Sequence, residues 1–179
     1  IGVCDGLGKW AANAGVPEEK ISVIGNGLDL YRFENISPLN LHKLLHIPAD
    51  KPIGIAVGTL RADKGLDLLI DACSHFPEKD MPYFVIVGKE INDAFNDMCK
   101  KKIVELGLGE YFHFVGVQEN ALSWIKGADF AVMSARSESG PLVLIEYMLC
   151  KVPFAAFNVG WVSNLIYQYF PNFFSDPCD

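Results

Sequence analysis

Six short apolar runs, separated by segments of helical period, constrain this chain more than any other feature of its sequence. The runs cover residues 53–57, 83–87, 111–115, 129–133, 154–157 and, weakly, 172–174. They are rich in β-branched and aromatic residues and show almost no polar alternation, the pattern of strands covered on both faces. Between them lie candidate helices over 64–76, 92–106, 119–126, 141–150 and 161–168. Strand–helix–strand crossovers of this length are right-handed and lay helices on both sides of a parallel sheet. The expected fold is therefore α/β, a doubly wound, Rossmann-like parallel sheet of six strands. At 179 residues, half of them hydrophobic, the chain can bury a core of that size.

The first fifty residues stand outside this rhythm. They offer a helix-like segment at 7–14, a short apolar run at 21–24, a turn at Gly25-Asn26-Gly27 and an amphipathic stretch at 39–46. Residues 1–20 read as the tail of a preceding domain and its connector, with Gly15-Val16-Pro17 as the hinge. Residue 1 is Ile, so the expectation is a piece of a longer protein.

Composition narrows the function classes. Fifteen Lys and Arg against 22 Asp and Glu give a net charge of −7, the wrong sign for gripping nucleic acid. A small basic site for one phosphate is still compatible, because net charge describes a surface and not a cleft. The five cysteines, at 4, 73, 99, 150 and 178, are odd in number, scattered and without zinc spacing, which suits packed thiols in the cytoplasm. The most apolar stretch, 152–174, holds Asn158, Ser163, Asn164, Gln168 and Pro171, too many polar groups and breaks for a bilayer span. Any contact with a membrane surface is expected only through parts outside this sequence.

In the common strand order 3-2-1-4-5-6, ligands bind beyond the carboxyl ends of the first and fourth strands, where the winding reverses. Two loops are thereby nominated, 58–65 with Arg61 and Lys64, and 134–141 with Arg136, Glu138, Ser139 and Gly140. Lys64 at a helix start sits where the dipole prefers an anion, and a bound phosphate would satisfy both. Pro141 is expected at the first helical position, leaving the amides of Leu142 and Val143 free as an anion cradle. The combination suits a diphosphate. Neither G-x-G-x-x-G nor G-x-x-x-x-G-K-S/T occurs, which disfavours hydride transfer and P-loop hydrolysis. Asp-x-Asp is absent too, and no metal is expected.

The same residues resemble, in order, the motifs of the donor-binding half of a GT-B, family-four-type retaining glycosyltransferase. Residues 24–29 with Phe33 are similar to its P-N-G-V-D…F segment, and Val57 to Gly65 to its V-G-R-L-x-x-x-K-G. Ile86-Val87-Gly88, Leu106-Gly107-Leu108 and Phe114-Val115-Gly116 follow in family order, and Glu138 and Glu146 reproduce its E-x7-E. The resemblance implies a donor-binding domain over 21–179, cut before the family's last helices, with residues 1–20 left from an acceptor-binding N-terminal domain. It implies Lys64 and Glu138 as catalytic groups. Gly58, Thr59, Ser139, Gly140 and the amides of Leu142 and Val143 would hold the donor with them, Glu146 the ribose, and Val115, Gly116 and Val117 the base. The substrate would be a UDP-sugar or GDP-sugar, and the acceptor a carbohydrate or lipid-linked hydroxyl brought by the N-terminal half.

Two departures stand out. The family's phosphate-binding arginine falls on Thr59, and Arg61, two residues on, is the nearest cation. Its Gly-Phe-Gly after the first glutamate becomes Ser139-Gly140-Pro141, which removes one amide.

Taken singly, these residues have plainer readings: Glu138 and Glu146 as solvated acids near a helix start, and Lys64, Arg61 and Arg136 as surface charges. His42 and His46 stand four apart without a third ligand, and His113 lies between Phe112 and Phe114 as a packed strand residue. The expected activity is metal-independent transfer of a glycosyl group with retention of configuration. A GT-B nucleotide-sugar epimerase and a non-catalytic nucleotide-sugar-binding module are the alternatives.

Overall fold

The computed structural model describes residues 1–91 and 94–176. The start of the helix expected at 92, and the cysteine at 178, lie outside the described residues. A helix α1 (Asp5–Asn13) and two short ones, α2 (Tyr31–Glu34) and α3 (Leu41–Leu45), precede the sheet. Then β1 (Ile53–Val57), α4 (Leu66–Cys73), β2 (Tyr83–Val87), α5 (Ala94–Glu105), β3 (Phe112–Gly116), α6 (Ala121–Gly127), β4 (Phe130–Met133), α7 (Leu142–Leu149), β5 (Phe154–Phe157), α8 (Gly160–Tyr167) and β6 (Phe174–Ser175) alternate. All strand pairs are parallel, in the order β3-β2-β1-β4-β5-β6. This is the doubly wound sheet that the apolar runs predict.

The central strands keep their side chains dry, whereas Ala155 of β5 and Ser175 of β6 are exposed. Every residue of β2 is buried, and Ile55, Val85, Ile70, Leu144 and Tyr147 have no exposed surface. Each such aliphatic side chain contributes about 1.5–3 kcal/mol relative to exposure. Asp129, expected within the fourth strand, instead closes its entry: its carboxylate accepts from the Ile53 N–H at 2.7 Å, and its own N–H donates to the Ile53 carbonyl at 2.9 Å. The β1–β4 ladder is short, pairing only Gly54 with Phe130 and Ile55 with Ala131. Beyond it the two strands separate, and the phenol of Tyr147 from α7 fills the gap. That hydroxyl accepts from the Val57 N–H at 3.3 Å and donates to the Val132 carbonyl at 3.4 Å.

Several boundaries differ from the sequence reading. The helix expected from 64 begins at Leu66, because Ala62–Lys64 forms its own 3-10 turn and Gly65 follows in the left-handed region at φ +67°. Only glycine fits there: a Cβ at Gly65 would lie 1.9 Å from the Ser134 carbonyl oxygen. Pro141 stands at the N-cap of α7 rather than at its first turn, with an extended ψ of 98°. The last strand slides to Phe174–Ser175 because Pro171–Phe173 curls into a 3-10 turn. Residues 25–27 form no regular turn, and the 21–24 run is reduced to a bridge between Gly2 and Val23. Among the described residues no helix is long and apolar enough to cross a membrane.

Candidate functional site

Where β1 and β4 diverge, their following loops are bound to each other. The Arg136 N–H donates to the Asp63 carbonyl at 2.8 Å, and the Ser134 hydroxyl donates to the Lys64 carbonyl at 3.3 Å. The Arg136 guanidinium clasps the Asp67 carboxylate with two bonds of 2.7 Å and also reaches the Ala62 carbonyl at 3.0 Å. This fork-on-fork geometry holds the Asp67 carboxyl below its ordinary value. Arg136, though exposed, is thus a strut between the loops, where the sequence offers only a plain surface charge.

Between the loops opens a cleft of about 350 Å³. Of the residues nominated from the sequence, Gly58, Thr59, Lys64, Glu138, Gly140, Leu142 and Val143 line it. Leu66, Leu69 and Ile86 add an apolar floor, and Asn26 reaches it from the segment ahead of α2. Asn26 was not nominated as a site residue; its signals were its place within Gly25-Asn26-Gly27 and in the segment similar to the family's P-N-G-V-D…F. Lys64 and Glu138 form an ion pair across the cleft, both partly shielded from solvent. No side chain caps α7, so the amides of Leu142 and Val143 open its first turn without an intrahelical acceptor. An ammonium and a helix N-terminus therefore face one concavity, which is the arrangement an anion with several oxygens requires.

The other nominated residues lie around this cleft. Ser139 borders a second cavity of about 400 Å³, which shares Glu138 with the first. Glu146 stands one helical turn beyond Leu142 and Val143, on their side of α7 but outside the cleft lining. Burial pushes its carboxyl above the ordinary value, and the charge of Arg32 offsets part of that. Val115, Gly116 and Val117 close the carboxyl end of β3, two strands from β1; the Val115 carbonyl accepts from the Gln118 amide at 2.6 Å and the Gly116 carbonyl from the Gly88 N–H at 2.9 Å. Arg61 is held by its neighbour: its guanidinium is bound by Asp63 at 2.8 and 2.6 Å and is not among the lining residues, although the charge of Glu138 still reaches it. With Thr59 in the arginine's place, Lys64 is the one cation among the described residues that line the cleft.

Residues considered for other chemistry fall into structural places. His113 stacks on Tyr83 with ring centroids 5.9 Å apart, and burial lowers its pKa. Cys4, Cys73, Cys99 and Cys150 are buried thiols, and burial pushes that of Cys73 up to about 12. Among the described residues no group of three His, Cys, Asp or Glu side chains could hold a metal ion, His42 and His46 included.

Residues 40–179 match the family model described as glycosyl transferases group 1. The lipopolysaccharide core biosynthesis mannosyltransferase LpsB of Rhizobium meliloti is 30% identical over 164 residues, which cover 89% of this chain and 46% of that protein. A D-inositol 3-phosphate glycosyltransferase of Jonesia denitrificans is 27% identical over 161 residues, 83% of this chain and 38% of its own. Among solved structures, Anabaena HepE in complex with UDP and glucose superposes with a TM-score of 0.85 at 23% identity, covering 99% of this chain and 49% of that one. WaaG, a glycosyltransferase involved in lipopolysaccharide biosynthesis, gives 0.77 at 18% identity, over 98% of this chain and 48% of that one. The chain spans less than half the length of each of these relatives. The two structural likenesses establish the fold, a Rossmann-like half of a GT-B architecture.

Proposed function

The chain belongs to the glycosyl transferases group 1 family, and from that premise we propose that its switch-point cleft binds the diphosphate of a nucleotide-sugar donor. In this reading the whole protein transfers the sugar to an acceptor hydroxyl with retention of configuration. The observation that carries the reading is the convergence of Lys64, Glu138 and the uncapped first turn of α7 on one concavity. UDP and glucose in the complex of HepE favour a UDP-sugar, with a GDP-sugar as the next choice.

The chemistry follows from an exchange of partners. Within the cleft Lys64 is neutralised by Glu138. An entering diphosphate carries more charge than one carboxylate and also receives the α7 amides, so it draws the ammonium away. Glu138 is then an unpaired acceptor beside the diphosphate, suited to two hydroxyls of the sugar. As the glycosyl bond breaks, negative charge grows on the leaving diphosphate, and Lys64 with the helix terminus stabilises it there. No metal is required in this scheme. Glu146, desolvated one turn further on, accepts from the ribose hydroxyls, and the base lies along the 115–117 backbone.

Residues 21–179 would form the donor-binding domain, and residues 1–20 the end of a preceding acceptor-binding domain. The acceptor, a carbohydrate or lipid-linked hydroxyl, would be held by that domain. Buried thiols at Cys4, Cys73, Cys99 and Cys150 suit work in the cytoplasm.

Calorimetric titration with UDP, GDP and ADP, with and without magnesium, tests the reading. We expect a nucleoside diphosphate to bind without magnesium, and Lys64→Ala to lower transfer by the full-length protein at least tenfold, about 1.4 kcal/mol. Normal transfer by the variant, or strict dependence of binding on magnesium, would count against the scheme.

A further inference from the structure

Trp161 is an aromatic side chain that neither the core nor the diphosphate grip uses. It is the second residue of α8 and 43% exposed. Its backbone is nevertheless held firmly against the loop that carries Glu138. The Trp161 N–H donates to the Ser139 carbonyl at 3.0 Å, and Gly160, at φ +84°, passes so close that a Cβ there would lie 2.7 Å from the Glu138 carbonyl oxygen. A large apolar ring is thus presented to solvent from a fixed position next to the cleft carboxylate.

Trp161 lines the second cavity, of about 400 Å³, with Asn164, Glu138, Ser137 and Ser139 as its polar neighbours and Leu7, Cys4 and two glycines as the rest of the wall. Asn164 lies three residues along α8 and so on the same face as Trp161. One aromatic plane, one side-chain amide, one carboxylate and two hydroxyls make a mixed lining. A flat apolar ligand would leave the polar groups without partners, and an anion would meet Glu138. A sugar ring satisfies all of them, since its C–H face packs on an aromatic plane while its rim of hydroxyls meets amide and carboxylate. The volume is that of a small-molecule site, typically about 300–1,000 Å³.

We propose that this second cavity takes a hexopyranose ring, with Trp161 as its stacking wall and a specificity-determining residue for the sugar. The inference rests on the reading of the first cleft, because Glu138 is the wall the two cavities share. A sugar attached to a diphosphate at Lys64, or an acceptor sugar brought up to that diphosphate, meets the cavity at that carboxylate.

The experiment compares the full-length protein with Trp161→Ala and Trp161→Phe by calorimetry. Three titrations are needed: UDP, UDP-glucose, and methyl α-glucoside into protein saturated with UDP. The half-exposed indole can be removed without opening the core, and UDP affinity should stay within twofold in both variants. A loss of at least fivefold for UDP-glucose in Trp161→Ala, largely restored in Trp161→Phe, supports the proposal with the donor's sugar in the cavity. The same loss confined to methyl α-glucoside supports it with the acceptor's sugar there. Unchanged affinity for both sugar ligands while UDP still binds overturns the proposal and leaves the first cleft standing. Where only GDP binds, GDP and GDP-glucose replace UDP and UDP-glucose in the same titrations; failure of the unsubstituted protein to bind UDP, GDP or ADP overturns the reading of the first cleft, and this inference with it.

Discussion

Glu138 and Glu146 are eight residues apart in sequence and lead opposite lives in the fold. Glu138 sits on the loop after β4, faces the cleft and is neutralised by Lys64 from the loop after β1. Glu146 rides on α7, half-buried, where desolvation raises its pKa and only the more distant charge of Arg32 opposes that. A paired carboxylate in a cleft is a competitor for any incoming anion. A desolvated one without a close cation is instead a standing acceptor for neutral donors such as hydroxyls. In the proposed reading the same residue type would serve as a gate in one place and as a clamp in the other.

Substitutions that keep the shape and remove the charge separate these roles. The largest effect belongs to Glu138→Gln. With its competing anion gone, Lys64 should hold UDP about threefold more tightly in calorimetry, while transfer by the full-length protein falls at least tenfold because an amide is the poorer acceptor for the sugar. Weaker UDP binding in that variant would break the comparison.

Glu146→Gln should behave in the reverse sense. Because burial raises the folded pKa of Glu146, folding favours its protonated form. That contribution is present below the ordinary glutamate value of 4.5 and is lost as pH rises through the higher folded value. The variant should therefore lack this decline and melt higher near pH 7, by no more than about 1 kcal/mol or 2–4 °C. UDP affinity should drop at the same time, since the ribose loses its charged acceptor. Thermal melts across pH 4 to 8 check the first effect and UDP titration the second.

Arg61→Ala should have the smallest effect. Its guanidinium is engaged by Asp63 and does not line the cleft, so UDP affinity should change less than twofold, and a tenfold loss would place a second cation on the diphosphate.

The sheet was legible because parallel, doubly covered strands write themselves as unbroken apolar runs, and β1, β2 and β5 begin and end where those runs do. The cleft was legible because strand order alone sets the first and fourth strand ends side by side. What lay beyond reach was the wiring between distant loops. Lys64 meets Glu138 across 74 positions and Arg136 meets Asp67 across 69, contacts that depend on side-chain direction and leave no local pattern. The phenol of Tyr147 between β1 and β4 and the indole of Trp161 beside Glu138 were hidden for the same reason: each reads locally as one more apolar residue of its helix. The short α2 was missed because four residues carry too little period to register. Pro141 was displaced by one position because the approach of the loop, rather than the proline itself, decides where α7 begins.

The most direct test of the partner exchange is a crystal structure of the protein with UDP bound. The account predicts diphosphate oxygens within hydrogen-bonding reach of the Lys64 ammonium and of the Leu142 and Val143 amides, with the Lys64–Glu138 pair opened. A diphosphate lodged elsewhere, or a Lys64 still closed on Glu138 with the nucleotide in place, would contradict it.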